Sequence, residues 1–255
     1  MTTETTPTQF HTMPGGGRIA YRHYEGSRPT IVFLPGYMSD MDGGKATALA
    51  SCAQDRGQGV LLLDYSGCGR SDGEFADGTL SQWRDEVLEL IEAYTEGPVL
   101  LVGSSMGGWL MLLVALALKD RLAGLVGIAP APDFSDWGYS EEQKVALAAG
   151  ETIYEDNPYG PEPTPTHAKF WQDAETHRLL GGPIDLACPV HLIHGQQDSD
   201  VPWQISLRLA EALRSEQVQV TLVKSGTHRL SRPEDIALLL SGIAAIAQAA
   251  ARETP

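Results

Sequence analysis

Ser105, Asp198 and His228 are the residue types of nucleophilic acyl transfer, and each stands where a strand is expected to end. Ser105 is the centre of Gly103-Ser104-Ser105-Met106-Gly107, a G-x-S-x-G pentapeptide that follows the apolar run 98–102 and precedes Gly108 and the apolar segment 109–118. Strand, glycine-flanked serine and helix in that order describe a nucleophile elbow, a sharp turn that lifts the hydroxyl above a sheet. The glycines are needed because strand and helix backbones approach too closely there for a Cβ. A serine hydroxyl attacks only when a base takes its proton and an acid orients that base.

Those partners follow in the chain order serine, acid, histidine. After the expected strand 190–194 comes Gly195-Gln196-Gln197-Asp198-Ser199-Asp200-Val201-Pro202, and after the strand 218–223 comes Lys224-Ser225-Gly226-Thr227-His228. Asp198, three residues past the turn glycine, is the favoured acid. Asp200 is the alternative, although it also reads as a cap for a helix beginning near Trp203. His11, His23, His167 and His177 read as surface histidines. His191 and His194, three apart on a strand, face opposite sides and cannot share a metal.

An oxyanion hole needs backbone N–H groups aimed at the developing charge. Met106, after the nucleophile, supplies one. Tyr37 supplies the other, from Pro35-Gly36-Tyr37-Met38 after the strand 30–34. The plainer reading of that stretch is a Pro-Gly turn ending the strand. Met38, Trp109 and Trp203 are candidates to line an acyl pocket, and core packing explains each as well. The loop Asp64-Tyr65-Ser66-Gly67-Cys68-Gly69-Arg70-Ser71 lacks G-x-G-x-x-G spacing, and no G-K-[ST] occurs, so no nucleotide is implied.

The elements that must carry these residues alternate. Strands are expected at 18–24, 30–34, 60–65, 99–102, 125–129, 190–194 and 218–223, several of them apolar throughout, as in strands buried on both faces. Helices are expected at 45–54, 80–94, 107–118, 203–214 and 233–252. Leu80, Trp83, Val87, Leu90, Ile91 and Tyr94 mark one face of the second, and Ser231-x-x-Glu234 reads as a capping box for the last. The alternation implies a mostly parallel, doubly wound α/β sheet. Sixty residues separate 129 from 190, far more than one crossover needs. This interval carries Trp137, Tyr139, Tyr154, Tyr159, Phe170 and Trp171, and it reads as a small helical cap. The expected organisation is a polar tail over 1–8, a core over 9–131 and 187–252, and a cap over 132–186, with a short tail at 252–255.

Composition narrows the partners. The formal charge of −15 over 255 residues argues against nucleic acid and anionic membranes. No apolar run approaches the roughly 18 residues that span a bilayer. Three cysteines, Cys52, Cys68 and Cys188, without C-x-x-C spacing fit neither a disulfide framework nor a zinc site. That cysteine usage fits a reducing, cytoplasmic compartment best, the start lacks a secretory core or transit-peptide arginines, and no metal or organic cofactor is implied.

With these pieces together, the chain resembles the α/β-hydrolase superfamily over essentially its ordered length. Phe33-Leu34-Pro35-Gly36-Tyr37-Met38-Ser39-Asp40-Met41-Asp42-Gly43-Gly44-Lys45, Gly103 to Met111, His194-Gly195-Gln196-Gln197-Asp198-Ser199-Asp200-Val201-Pro202-Trp203 and His228-Arg229 look like the mitochondrial palmitoyl-protein thioesterases of that superfamily and their bacterial relatives. Glu175-Thr176-His177-Arg178-Leu179-Leu180 is similar too. The resemblance implies a serine hydrolase of S-palmitoyl groups on protein cysteines or of acyl glucuronides, with the triad on Ser105, Asp198 and His228. Pro35-Gly36 replaces the superfamily's usual His-Gly, as in that subfamily, and residues 133–168 match only loosely. The expected substrate is therefore an acylated small molecule or acyl-protein. A small-molecule carboxylesterase or carbon–carbon bond hydrolase is the alternative, and a non-catalytic receptor of the same fold is a remoter one. Haloalkane dehalogenases and epoxide hydrolases carry aspartate at the elbow, which Ser105 contradicts.

Overall fold

The computed structural model describes residues 6–158 and 160–253. Its strands are β1 (Gln9–Thr12), β2 (Arg18–Tyr24), β3 (Ser27–Leu34), β4 (Gln58–Leu63), β5 (Val99–Ser104), β6 (Leu122–Ile128), β7 (Ile153–Glu155), β8 (Thr164–Thr166), β9 (Val190–Gly195) and β10 (Val218–Val223). Eight of them form one sheet in the order β1-β2-β4-β3-β5-β6-β9-β10. The pairs β1–β2 and β2–β4 are antiparallel, and all the others in that sheet are parallel.

The helices are α1 (Gly44–Asp55), α2 (Leu80–Tyr94), α3 (Met106–Leu118), α4 (Phe134–Trp137), α5 (Glu141–Ala148), α6 (Ala168–Glu175), α7 (Gln204–Ala212) and α8 (Pro233–Glu253). They cover both faces of the sheet, and successive strand residues divide between them as a period of two requires. Leu61, Leu63, Val99 and Leu101 pack with Trp83, Leu90, Trp109 and Leu209 on one face. Val60, Leu62, Leu100 and Val102 pack with Leu49, Ala53, Leu239 and Ile243 on the other. Burial on both faces is why these strands read as unbroken apolar runs.

Several expectations need correction. β1 was not expected, because Gln9-Phe10-His11-Thr12 is short and carries little apolar pattern; its register on β2, Gln9 against Tyr21, makes it a strand. Residues 1–5 of the expected tail lie outside the described residues, but Thr8 is not a loose end. Its hydroxyl accepts from Arg22 Nη2 at 3.2 Å and Arg70 Nη1 at 2.8 Å. At the other end, α8 runs to Glu253, and residues 254–255 lie outside the described residues.

Only the back-reaching half of a capping box forms at α8, displaced by one residue. Asp235, not Glu234, reaches back to the Arg232 N–H at 3.1 Å, while the Ile236 N–H closes on the Arg232 carbonyl at 3.0 Å. α8 also holds an 18-residue window, Pro233–Ala250, with a mean hydropathy of 1.2, long and apolar enough to cross a bilayer. The expectation of no such run overlooked it because Pro233, Glu234 and Asp235 interrupt its start. Leu239, Ile243, Ile246 and Ala247 of this helix pack into the core.

The long interval between β6 and β9 holds α4, α5, a two-stranded antiparallel ribbon of β7 and β8, and α6. The expectation of an all-helical insertion missed the ribbon, in which Ile153 pairs with Thr166 and Glu155 with Thr164. The β-branched residues Thr152, Ile153, Thr164 and Thr166 favour it, and at three residues each its strands are too short for a clear alternation. Tyr159 lies outside the described residues.

Candidate active site

β5 ends at Ser104 and α3 begins at Met106, leaving Ser105 as the single residue of the turn at φ 55° and ψ −122°. That backbone conformation is costly for any residue with a Cβ and persists only where its surroundings impose it. Here they do. The Ser105 N–H donates to the Ile128 carbonyl at 2.9 Å, and its carbonyl accepts from Gly108 N–H at 2.8 Å and Ala131 N–H at 3.0 Å. A Cβ on Gly103 would run into the Gly107 carbonyl, and one on Gly107 into the Leu34 carbonyl. The glycines of the pentapeptide are thus fixed by backbone approaching backbone.

Asp198 and His228 arrive from the loops after β9 and β10, which are stitched together in the same way. Gln196 N–H donates to the Val223 carbonyl and Gln197 N–H to the Gly226 carbonyl, both at 2.9 Å. A Cβ on Gly195 would meet Gly226 backbone. These contacts bring the three expected residues into one chain. His228 Nε2 lies 3.0 Å from Ser105 Oγ, and His228 Nδ1 lies 2.8 Å from Asp198 Oδ2.

The Asp198 side chain is fully buried, that of His228 16% exposed. Burial pushes the Asp198 carboxyl up. Hydrogen bonds from His194 and His228, the proximity of His228 and the Val201 N–H outweigh burial and hold it well below the usual carboxylate range. An ionised acid on Nδ1 leaves Nε2 facing the hydroxyl as an acceptor, the arrangement a general base needs. The alternative acid, Asp200, is exposed, and its backbone N–H donates to Asp198 Oδ1 at 2.9 Å. It does not cap α7, whose N-cap is Trp203 with no side-chain cap bond.

Met106 is the first residue of α3, so its N–H is one of the helix-start donors without an intrahelical acceptor. The loop carrying Tyr37 passes within contact of the serine: a Cβ on Gly36 would lie 3.4 Å from Ser105 Cβ. Ser39 N–H closes that loop on the Gly36 carbonyl at 3.1 Å, with Met38 left-handed at φ 54°. The Tyr37 ring packs 4.9 Å from Phe75 and 5.0 Å from Phe170, and its hydroxyl donates to the Pro165 carbonyl at 3.0 Å. Its ring therefore ties this loop to the segment between β6 and β9.

The weaker candidates divide. Met38 is half-exposed beside Tyr37. Trp109 is fully buried, with Nε1 donating to the His177 carbonyl at 3.1 Å, which favours the core-packing reading of it. Trp203 is half-buried at the start of α7. Three of the supposed surface histidines are engaged: His177 Nε2 meets Ser81 Oγ at 2.6 Å, His11 Nδ1 meets the Tyr94 hydroxyl at 2.9 Å, and His167 Nδ1 meets Thr152 Oγ1 at 3.1 Å. Burial pushes the Cys68 thiol up to about 12 and the Cys188 thiol up to about 11, away from thiolate reactivity.

Two residues were missed. His194 Nε2 lies 3.1 Å from Asp198 Oδ2, and Lys45 Nζ donates at 2.7 Å to the carbonyl of Arg229, next to His228. The signal for His194 was its place four residues before the acid, directly ahead of the turn glycine. Lys45 carried no such signal, since α1 and the loop after β10 meet only through the fold.

A family model described as alpha/beta hydrolase fold matches residues 29–159. The mouse mitochondrial palmitoyl-protein thioesterase ABHD10 is 41% identical over 233 residues, covering 88% of this chain and 77% of that protein. The human protein of that name is 36% identical over 244 residues, covering 92% and 78%. Among solved structures, a putative hydrolase from Agrobacterium vitis superposes with a TM-score of 0.88 at 37% identity, covering 94% of this chain and 99% of that one. The mouse alpha/beta hydrolase domain-containing protein 10 superposes at 0.87 and 37% identity, covering 94% and 98%. The thioesterase relatives are named mitochondrial, which lends the expectation of a cytoplasmic chain no support. A mostly parallel sheet with helices on both faces, a serine at positive φ between strand and helix, and these relatives lead to one conclusion: the chain belongs to the α/β-hydrolase family and is a hydrolase.

Proposed function

We propose that Ser105, His228 and Asp198 act as a catalytic triad that hydrolyses acyl thioesters or esters through an acyl-enzyme. The observation that carries this reading is the unbroken hydrogen-bonded chain Ser105 Oγ–His228 Nε2–Asp198 Oδ2 on an elbow at positive φ. His228 takes the hydroxyl proton as Ser105 Oγ attacks the acyl carbonyl carbon. The tetrahedral oxyanion is held by the N–H groups of Tyr37 and Met106. His228 then protonates the departing sulfur or oxygen, and Asp198 stabilises the imidazolium in between. Water, deprotonated by the same imidazole, releases the acid and restores Ser105.

Residues 132–186 form the cap over this site. The relatives named palmitoyl-protein thioesterases support a long-chain acyl thioester, with a protein cysteine as the leaving group, and the sulfur and oxygen esters share one mechanism. Ser105→Ala abolishes ester hydrolysis and labelling by a fluorophosphonate probe; labelling that persists removes the serine. Rates on thioesters and oxygen esters of graded chain length then assign the substrate, and a preference for short oxygen esters argues for a small-molecule carboxylesterase instead. A reducing, cytoplasmic compartment rests on the cysteine usage alone, and fractionation of the source cells tests it.

A further inference from the structure

Asp198 accepts from two imidazoles, not one. Its Oδ2 lies 2.8 Å from His228 Nδ1 and 3.1 Å from His194 Nε2, while its Oδ1 accepts from the N–H groups of Asp200 at 2.9 Å and Val201 at 2.8 Å. A carboxylate offers about four lone-pair sites, and here four donors take them. The side chains of His194 and Asp198 are both fully buried, so a donor missing from this set is not replaced by solvent.

The protonation of His194 follows from its neighbours. Nε2 faces the Asp198 carboxylate and, at 3.1 Å, the Val201 carbonyl, and neither can donate; Nε2 therefore carries hydrogen. Nδ1 faces the hydroxyl of Ser206 at 2.7 Å, on the fully buried inner face of α7, and a hydroxyl can donate to it. With Ser206 donating, His194 is neutral and Asp198 keeps its full negative charge for His228. An imidazolium at His194 would cancel that charge and weaken the stabilisation of a proton on His228. Titratable groups beside this unit include His228 itself, Asp200 through its N–H, and, one residue past His228, Arg229, whose carbonyl Lys45 of α1 reaches.

We propose that His194 is a positioning residue of the triad, held by Ser206 as the neutral Nε2–H tautomer so that it fixes Asp198 toward His228 without neutralising it. The proposal rests on the triad reading of Ser105, His228 and Asp198. It assigns His194 an effect on the rate of acyl transfer and none on substrate contact.

The test compares His194→Leu, His194→Gln, Ser206→Ala and Ser105→Ala with wild type for kcat and KM on a p-nitrophenyl acyl ester, with the melting temperature of each. A charge-assisted hydrogen bond lost from a buried carboxylate predicts that His194→Leu lowers kcat about 10- to 100-fold with KM within about twofold. His194→Gln, whose amide N–H can reach the place of Nε2, recovers most of that rate, and Ser206→Ala falls between. A folded His194→Leu enzyme with wild-type kcat overturns the proposal, as does an equal loss in folded Leu and Gln variants. Should His194→Leu fail to fold, Ser206→Ala decides: a wild-type kcat overturns the proposal, a reduced kcat at unchanged KM supports it. Activity surviving in Ser105→Ala overturns the triad reading itself, whereas a dead Ser105→Ala beside unaffected His194 and Ser206 variants overturns this proposal alone.

Discussion

At the carboxyl ends of β5, β9 and β10, backbone packs on backbone. Gly103, Gly107 and Gly195 each lie where a Cβ would strike a neighbouring main chain, and the loop bearing Asp198 donates two main-chain hydrogen bonds to carbonyls at the end of β10 and in the loop bearing His228. The segment between β6 and β9 is tied down largely by side chains, apart from a main-chain bridge at Ile184, whose N–H donates to the Ala212 carbonyl at 2.7 Å and whose carbonyl accepts from Arg214 N–H at 3.0 Å. Within the segment the Asp133 carboxylate accepts from the N–H groups of Leu179 at 2.8 Å and Leu180 at 2.7 Å, holding its two ends together, and onto the core Asp173 Oδ2 accepts from Ser81 N–H at 2.9 Å. Phe134 stacks on Phe170 at 5.7 Å and meets Trp109 edge-on at 5.6 Å. Main-chain contacts leave little freedom for the reacting atoms, while side-chain tethers can be exchanged without moving them. Chemistry should therefore depend on the first region and substrate selection on the second.

The sharpest way to break that division is at the acid. Asp198→Asn should lower kcat about 10³–10⁴-fold, as the loss of a triad acid does elsewhere, while Asp200→Asn should change it by less than about threefold, the scale of an exposed polar substitution. Steady-state kinetics on one ester decides between them, and the reverse order would move the acid to Asp200. Gly195→Ala asks whether main-chain approach matters as much as the side chains it presents. Forcing Gly226 away displaces acid and base together, and a misplacement near 1 Å costs about 100-fold. That loss should fall on kcat; a Gly195→Ala enzyme with wild-type kcat would sink the idea that backbone contact sets the geometry.

Asp133→Ala probes the other region. It leaves two N–H groups without their acceptor, a cost of about 1–3 kcal/mol for each one buried. The expected result is faster hydrogen exchange over 133–180 and a KM for long acyl chains raised several-fold, with kcat within about threefold of wild type. A fall in kcat as large as that of Gly195→Ala would mean that the cap also positions the reacting atoms.

The same contrast explains what the sequence disclosed. The strand–turn–helix around Ser105 and the strand-end places of Asp198 and His228 were legible, because each depends on local pattern and chain order. So was the division of the sheet into two apolar faces. The ribbon of β7 and β8 was not, since three-residue strands carry no clear period. Trp109 stayed open between pocket and core for a different reason: a buried indole and a pocket-lining indole look alike until a partner is seen, here the His177 carbonyl. The displaced cap on α8 shows the limit of a motif when two acids stand side by side. Glu234 and Asp235 both fit a back-reaching acid within one residue, and only the geometry chooses Asp235.

A side-chain strap also reaches the reacting rim, and it gives the smallest expected effect. Lys45 Nζ donates to the Arg229 carbonyl, and burial, with the Arg229 charge adding to it, pushes the amine down to about 8. The unfolded chain keeps that proton up to the ordinary lysine value near 10.4. Between those two values the unfolded state binds more protons than the native one, so stability should rise with pH across that window. Urea midpoints measured from pH 8 to pH 10 should climb more steeply in wild type than in Lys45→Met, and parallel slopes would show that the amine is not held down by the fold. The neutral amine still donates N–H, so the tie to Arg229 survives its deprotonation and kcat should stay level over the same range. If kcat instead falls in step with Lys45 titration, the charge itself supports His228, and the rim depends on side chains more than its main-chain contacts imply.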